Sequence, residues 1–398
     1  MISENKILEL YIHIPFCVRK CNYCDFLSSP ADRGTQEAYM AALFSEIVGR
    51  AAEYQEYQVV SVFIGGGTPS VVETKWIVQL MELVRENYQL VEDTEITMEV
   101  NPGTVNAGML DSYYEAGINR LSIGLQSAND RELKKLGRIH TFAQFKETYA
   151  EARAAGFTNI NVDVMSALPG QNRESYQDTL RQLLALTPQP EHISAYSLIV
   201  EEGTPFAEWE EKGMLDVPDE DCERLMYEDT KQILGEAGYC RYEISNYAKE
   251  GLACRHNCGY WQRVEYVGFG IGAASLVQNG RFSNDSNLQK YLKDPMNCRS
   301  KVLVLSVEEQ MEEFMFLGLR MTTGVSELAF LSCFGHTLSE VYGEVIEQNI
   351  QNGLLYFRTE VRKAGDIGPK KQEGFLALTA RGLDLSNYVM AQFLFDED

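Results

Sequence analysis

Three cysteines fall within eight residues, in the segment Tyr11-Ile-His-Ile-Pro-Phe-Cys17-Val-Arg-Lys-Cys21-Asn-Tyr-Cys24-Asp-Phe26. Their i, i+4, i+7 spacing would suit one face of a helix, with three thiols packed in a core. Pro15 and the strand-like alternation before it point instead to a loop leaving a strand end, where three soft ligands can converge on a metal. Zinc held by Cys17, Cys21, Cys24 and His13 is one reading, although zinc motifs usually pair C-x2-C with a second such pair downstream. No second pair exists. A [4Fe-4S] cluster is the other reading, because four irons want four ligands and three thiolates leave one iron open to a reacting group. Arg19 and Lys20 would help to hold the thiolates ionised.

The elements that must position such a loop can be read from the rest of the chain. It has 398 residues, 45% of them hydrophobic, and a net charge of 35 − 58 = −23. At this length roughly 75% of the unfolded surface can be buried, which suggests about two domains and no need of disulfides. The charge repels phosphate backbones and no Lys/Arg cluster offsets it, so no nucleic-acid partner is expected. No apolar run approaches the ~18 residues of a spanning helix, and Met1 to Lys6 does not read as the basic start of a signal peptide. A cytoplasmic location is expected, with room for peripheral membrane contact. The nine cysteines are odd in number and do not suggest a disulfide framework.

From residue 8 to about 200, short period-2 runs alternate with amphipathic stretches, the pattern of βα units around a parallel sheet. Strands are expected around Ile12, Val62, Met98, Ile123, Val162 and Ala195, with helices near 36–54, 74–88, 106–116, 141–155 and 173–186. Three helices end in a repeated phrase, at EAGINRLSIGLQ, AAGFTNINVDV and EAGYCRYEISNY, each with Gly at the helix C′ position. Alternation puts Glu9, Tyr11 and His13 on one face of the first strand, Thr97 and Glu99 on one face of the third, Ser122 and Gln126 on the fourth. Asn161 and Asp163 follow on the fifth, Ser194 and Tyr196 on the sixth. A parallel strand covered on both faces should be apolar on both, so a recurring polar face argues for a lined cavity at the strand C-termini. The fold expected is α/β, a partial (β/α)6 TIM-like barrel with a small C-terminal α/β cap. The divisions are 1–215 for the barrel, 216–300 for a loop-rich connecting segment containing RHNCGYW and the glycines of VGFGIGAAS, and 301–398 for the cap, closing in a helix at 378–393.

C-x3-C-x2-C resembles the signature of radical S-adenosylmethionine (SAM) enzymes, and YIHIPFC-x3-C-x2-C-D-F is similar to the oxygen-independent coproporphyrinogen III oxidase-like family. That resemblance implies that Cys17, Cys21 and Cys24 hold a [4Fe-4S] cluster whose open iron takes SAM, reduced by a low-potential electron donor. Phe63-Ile-Gly-Gly-Gly-Thr-Pro-Ser70 resembles the family's glycine-rich stretch, which would set Gly66, Gly67 and Thr68 against the methionyl end of SAM. Glu99, Gln126, Arg138 and Asp163 match SAM contacts in EVNPG, LSIGLQS, GRIH and NVDV; Tyr11 matches a tyrosine beside the cluster, Tyr23 the aromatic between the last two cysteines, and Ser197 a position near the adenine. Structural hydrogen bonds, or a solvated helix end for Arg138, are the alternatives.

The decarboxylating oxidases of the family carry a fourth cysteine two residues after the third, where this chain has Phe26, and an extension before the first strand. Phe26 and a cluster that begins at residue 17 resemble instead the HemW-type, heme-chaperone branch, which binds heme and passes it to apoproteins. His256-Asn-Cys-Gly-Tyr260-Trp261 resembles that branch's H-N-x-x-Y-W signature, so His256 is a candidate heme ligand and Trp261 a flat face for it; a packed histidine in a loop is the alternative. Where the branch shows G-A-H-S this chain has Gly272-Ala-Ala274-Ser. Cys254 and Cys258 do not form the C-x-x-C-H of thioether attachment. Arg255, Arg120 and Arg320 are candidates for the propionates. The function expected is heme carriage to apoproteins, with radical decarboxylation of coproporphyrinogen III as the alternative; whether SAM is cleaved catalytically stays open.

Overall fold

The computed structural model describes residues 6–361 and 372–395. Six strands, β1 (Lys6–Ile14), β2 (Tyr57–Gly66), β3 (Gln89–Val100), β4 (Arg120–Gln126), β5 (Ile160–Ser166) and β6 (His192–Ser197), run parallel in sequence order. Between them lie α1 (Arg33–Arg50), α2 (Thr74–Asn87), α3 (Ala107–Glu115), α4 (Asp130–Leu136), α5 (Phe142–Ala154) and α6 (Arg173–Leu184). This is the expected (β/α)6 unit. Leu8, Leu10, Ile12 and Ile14, with Met98, Leu121, Ile123 and Val162, are fully buried and pack beneath the outer helices. The intervening polar residues face inward. Gly117, Gly156 and Gly238, the glycines of the repeated phrases, each adopt a positive φ (82°, 106° and 85°), the left-handed turn that ends a helix before a strand.

The sheet does not close on itself. α7 (Pro205–Glu211) and α8 (Glu220–Glu236) follow β6, and then β7 (Cys240–Arg241) and β8 (Asn246–Ala248) extend the β6 edge antiparallel. After α9 (Arg255–Trp261), β9 (Tyr266–Phe269) pairs parallel with β1, and β10 (Ala274–Val277), β11 (Gly280–Ser283) and β12 (Leu303–Val304) continue outward. The stretch 246–304, which reads as loop-rich, therefore supplies strands to both edges of one twelve-stranded sheet. Its RHNCGYW motif is helical rather than loop.

α10 (Leu288–Lys293) returns to α1 and precedes the cap. There α11 (Val307–Gly318), α12 (Glu327–Phe334) and α13 (Leu338–Gln351) cover a three-stranded antiparallel sheet of β13 (Val325–Ser326), β15 (Gln372–Leu378) and β14 (Leu355–Val361). The single last helix expected at 378–393 is two short ones, α14 (Ala380–Asp384) and α15 (Ser386–Ala391). Met315, Leu319, Phe330, Ile346, Leu376 and Phe393 form a core of their own. The cap docks by ion pairs from Arg263 and Arg281 to Glu313 (2.9 and 2.5 Å) and by the Thr322 N–H on the Tyr242 carbonyl (2.9 Å).

Candidate functional site

At the C-terminal ends of the six strands lies a cavity of about 320 Å³. Cys17, Cys21, Cys24, Tyr23, Gly66, Gly67, Thr68, Glu99, Gln126, Arg138, Asp163 and Ser197 all line it. Residues from five strands and three loops, separated by up to 180 positions in sequence, thus share one cavity. Tyr11 and His256 do not.

The cysteine loop is held from below. The Tyr11 hydroxyl bonds His13 Nδ1 (2.9 Å), and His13 Nε2 bonds the Leu27 carbonyl (2.9 Å), so Tyr11 supports the loop rather than facing the cavity. Gly67 donates to the Ile14 carbonyl (2.9 Å), and a Cβ there would lie 2.6 Å from the Phe16 carbonyl oxygen, so only glycine lets the β2 end pack this closely against the loop. Thr68 Oγ1 donates to Cys17 Sγ (3.4 Å) and Arg138 Nη1 to Cys21 Sγ (3.7 Å). Among the described residues no three His, Cys, Asp or Glu side chains are gathered as ligands of one metal ion would be. A cubane spreads its thiolates over separate irons, so three thiols around a basin are the set it requires. Burial pushes the Cys24 thiol up, a penalty that coordination, which deprotonates a thiol outright, offsets.

Acidic groups occupy the opposite wall. Glu99 accepts from the Gly66 N–H (3.0 Å); burial, then the neighbouring Asp163 charge, push its carboxyl up to about 7. Asp163 is raised by burial and held by Asn161 Nδ2 (2.7 Å) and Ser122 Oγ (3.3 Å). The Arg120 charge offsets Asp163 only in part and Glu99 has no ion pair among the described residues, so a ligand carrying an ammonium and a sulfonium would add charge compensation here. Gln126 sits at a register shift of β4 with φ of 71°, a left-handed conformation uncommon outside glycine, and its Oε1 accepts from the Tyr196 hydroxyl (3.1 Å). Ser197 Oγ donates to Glu223.

Asn101 was not foreseen. It joins the two walls, donating from Nδ2 to Thr68 Oγ1 (2.7 Å) and accepting from Arg138 Nη2 (2.5 Å), which also donates to the Gly124 carbonyl (2.6 Å). Its signal was its place in EVNPG, two residues beyond Glu99. Behind Asp163 a chain of donors runs one way. The Tyr242 hydroxyl meets His192 Nε2 (2.8 Å), His192 Nδ1 meets Asn161 Oδ1 (2.6 Å), and Asn161 Nδ2 donates to Asp163. Burial keeps His192 neutral, well below its ordinary range, so one ring nitrogen donates and the other accepts.

His256 lies elsewhere, beneath the cavity on the inner face of β2. It is 1% exposed. Its Nδ1 bonds Ser61 Oγ (2.8 Å), its Nε2 bonds the Tyr260 hydroxyl (3.0 Å), and its ring stacks on Phe63 at 5.1 Å. Burial, then the Arg120 charge, push the imidazole down to about 3. Both ring nitrogens are engaged by side chains of the protein itself, the arrangement of the packed-histidine alternative. The nearby cations are equally committed. Arg255 pairs with Asp93 (2.8 Å), Arg120 is buried within the barrel, and Arg320 lies 4.3 Å above the Trp261 ring, covering the face expected to be flat and free.

Comparison with known proteins agrees with the site. The radical SAM superfamily profile matches residues 11–183, and the HemN C-terminal domain profile matches 305–361. A protein named heme chaperone HemW from Lactococcus lactis subsp. lactis is 34% identical over 388 residues, 97% of each chain. One from Escherichia coli (strain K12) is 42% identical over 68% of this chain and 70% of its own. The mitochondrial radical S-adenosyl methionine domain-containing protein 1 of Mus musculus is 34% identical, covering 89% of this chain and 83% of its own. In fold, the chain is similar to coproporphyrinogen III oxidase (HemN) from Escherichia coli, with a TM-score of 0.82 and 24% identity across 98% of this chain and 90% of that one. The radical SAM match implies a [4Fe-4S] cluster and SAM. With a full-length relative at this identity and a cysteine-lined basin at the barrel's open end, the chain belongs to the HemW family of the radical SAM superfamily.

Proposed function

We propose that this protein is a heme chaperone, binding heme and delivering it to apoproteins. The observation that carries the reading is the full-length similarity to proteins named heme chaperones, at 34% identity over 97% of both chains. Phe26, where the decarboxylating branch of the family has its fourth cysteine, supports it. We assign the cluster to Cys17, Cys21 and Cys24, and SAM to the wall formed by Gly66, Gly67, Thr68, Glu99, Gln126, Arg138, Asp163, Ser197 and Tyr23. When bound and reduced, the pair supplies radical chemistry. The protein's own part is position and charge. Arg138 and Thr68 donate to two of the three thiols, Glu99 and Asp163 offer negative charge to the cationic end of SAM, and Asn101 keeps the two walls in register.

All nine cysteines are free, in keeping with a reducing compartment, and no helix among the described residues is long and apolar enough to cross a membrane. We place the protein in the cytosol, where a low-potential donor would reduce the cluster. We treat 1–215 as the barrel unit, 216–300 as the segment that completes its sheet edges, and 301–398 as the cap. A paired assay tests the reading. Anaerobically reconstituted protein is titrated with heme, and in parallel incubated with coproporphyrinogen III, SAM and reductant. Saturable heme binding without carbon dioxide release is expected. Stoichiometric carbon dioxide release, or no binding of heme, would overturn it.

A further inference from the structure

Most exposed apolar side chains of a soluble protein are scattered singly. Four here are not. Val18, Phe26, Ile139 and Ile199 are 55%, 62%, 48% and 68% exposed, and all four line the mouth of the cysteine-bearing cavity. They arrive from three separate loops, Val18 and Phe26 from the one after β1, Ile139 from the one after α4, and Ile199 from the one after β6. Arg19 and Lys20 stand among them, exposed, on the same mouth, where Asp25 and Glu201 are the exposed acids; the two cations lie side by side on the cysteine loop. Lys20 Nζ donates to the Phe26 carbonyl (3.0 Å), which holds the ammonium beside the Phe26 backbone and leaves it two further protons. Arg19 has no hydrogen-bond or ion-pair partner among the described residues.

We propose that this rim is the seat of the carried heme, with the macrocycle against Phe26, Val18, Ile139 and Ile199 and its propionates on Arg19 and Lys20. The inference rests on the heme-chaperone reading above and says where on the molecule the cargo sits. The ligand chemistry follows from the surface. An apolar inlet wants a flat apolar body, and two cations in a chain of net charge −23 want carboxylates, because elsewhere the protein repels anions. The cations around His256 are less available, since Asp93, the barrel interior and Trp261 already engage them. The rim is concave, opening into the cavity, which suits an inserted disc better than a lipid surface, for which apolar tips must protrude. A macrocycle in this seat covers the SAM wall below it, so cargo and SAM exchange become linked.

Reconstituted full-length protein tests this with the double variant Phe26→Ser/Ile199→Ser, a second double variant Ile139→Ser/Ile199→Ser that leaves the cysteine loop untouched, Arg19→Glu, and Leu328→Ser on the cap as a control. Heme titration, iron and sulfide content, and SAM binding are measured on each. Both double variants should bind heme at least tenfold more weakly with iron, sulfide and SAM binding unchanged, Arg19→Glu should weaken heme and flatten its salt dependence, and Leu328→Ser should match wild type. In the wild type, bound heme should slow SAM dissociation several-fold. If the second double variant keeps its cluster and binds heme within twofold of wild type, the seat is elsewhere, while the chaperone reading stands. If the wild type binds no heme, the chaperone reading falls and this inference with it. If the rim variants lose sedimentation with phosphatidylglycerol vesicles but keep heme affinity, the rim is a membrane contact and the proposal is wrong.

Discussion

The mouth and the floor of this barrel carry nearly the same functional groups and use them oppositely. At the mouth stand three cysteines and two carboxyls. At the floor stand Cys254, Cys258, His256, Glu9 and Glu95. Three of the floor groups are held by hydrogen bonds: the Glu95 carboxylate accepts from the Arg255 and His256 backbone N–H groups (3.1 and 3.2 Å) and from Cys254 Sγ (3.4 Å), and His256 is held at both nitrogens. The mouth cysteines are half-buried and open to a cavity. Ligand chemistry needs donor atoms that the protein has left accessible, so residue type alone does not separate the two layers.

Substitution should separate them. The largest effect is expected for Cys21→Ser, which should abolish the cluster, while Cys258→Ser retains about four irons and four sulfides by elemental analysis. Loss of iron from both would end the distinction. Next, His256→Ala leaves Ser61 and Tyr260 unpaired around a void and should lower stability by roughly 2–4 kcal/mol in denaturant melts. Heme stoichiometry should not change, and a stable His256→Ala protein unable to bind heme would return the ligand role to the floor.

The floor should also reveal itself through pH. Burial raises the Glu9 carboxyl to about 9, and its Oε2 lacks a partner. The folded chain then binds a proton that the unfolded chain has lost between pH ~4.5 and ~9, so stability falls as pH rises through that window, by up to about 1.4 kcal/mol per unit. Glu9→Gln should flatten this slope in melts at pH 6, 7.5 and 9; an unchanged slope would show that Glu9 ionises freely. A smaller effect is expected for Asn161→Leu, which cuts the donor chain to Asp163 and should weaken SAM binding about tenfold, or ~1.4 kcal/mol, the scale of one hydrogen bond to a charged group. His192→Gln, able to keep one link of the chain, should lose less. Equal losses would mean that the chain does not position Asp163.

Much of the mouth was legible because its signals are local. The six strands announced themselves by period-2 alternation, and the inward polar set of Glu99, Gln126 and Asp163 by falling on the wrong face for a covered parallel strand. The floor was not legible. Arg-His-Asn-Cys-Gly-Tyr-Trp has no helical propensity to speak of, yet α9 forms because the Glu95 carboxylate, 160 positions earlier than Arg255, takes its first N–H groups, and Gly259 is needed because a Cβ there would lie 2.1 Å from a Glu9 oxygen. Arg120, a propionate candidate on spacing alone, is buried.

The sequence by itself determined the cysteine loop, the order of the strands and the face on which each acid stands, since these depend on spacing and period within a few residues. Only the tertiary structure decided which donors stay open and which are sealed, and that four apolar residues from three loops meet at one mouth. Burial and pairing are set by whatever else packs against a side chain, and those partners lie tens to hundreds of residues away.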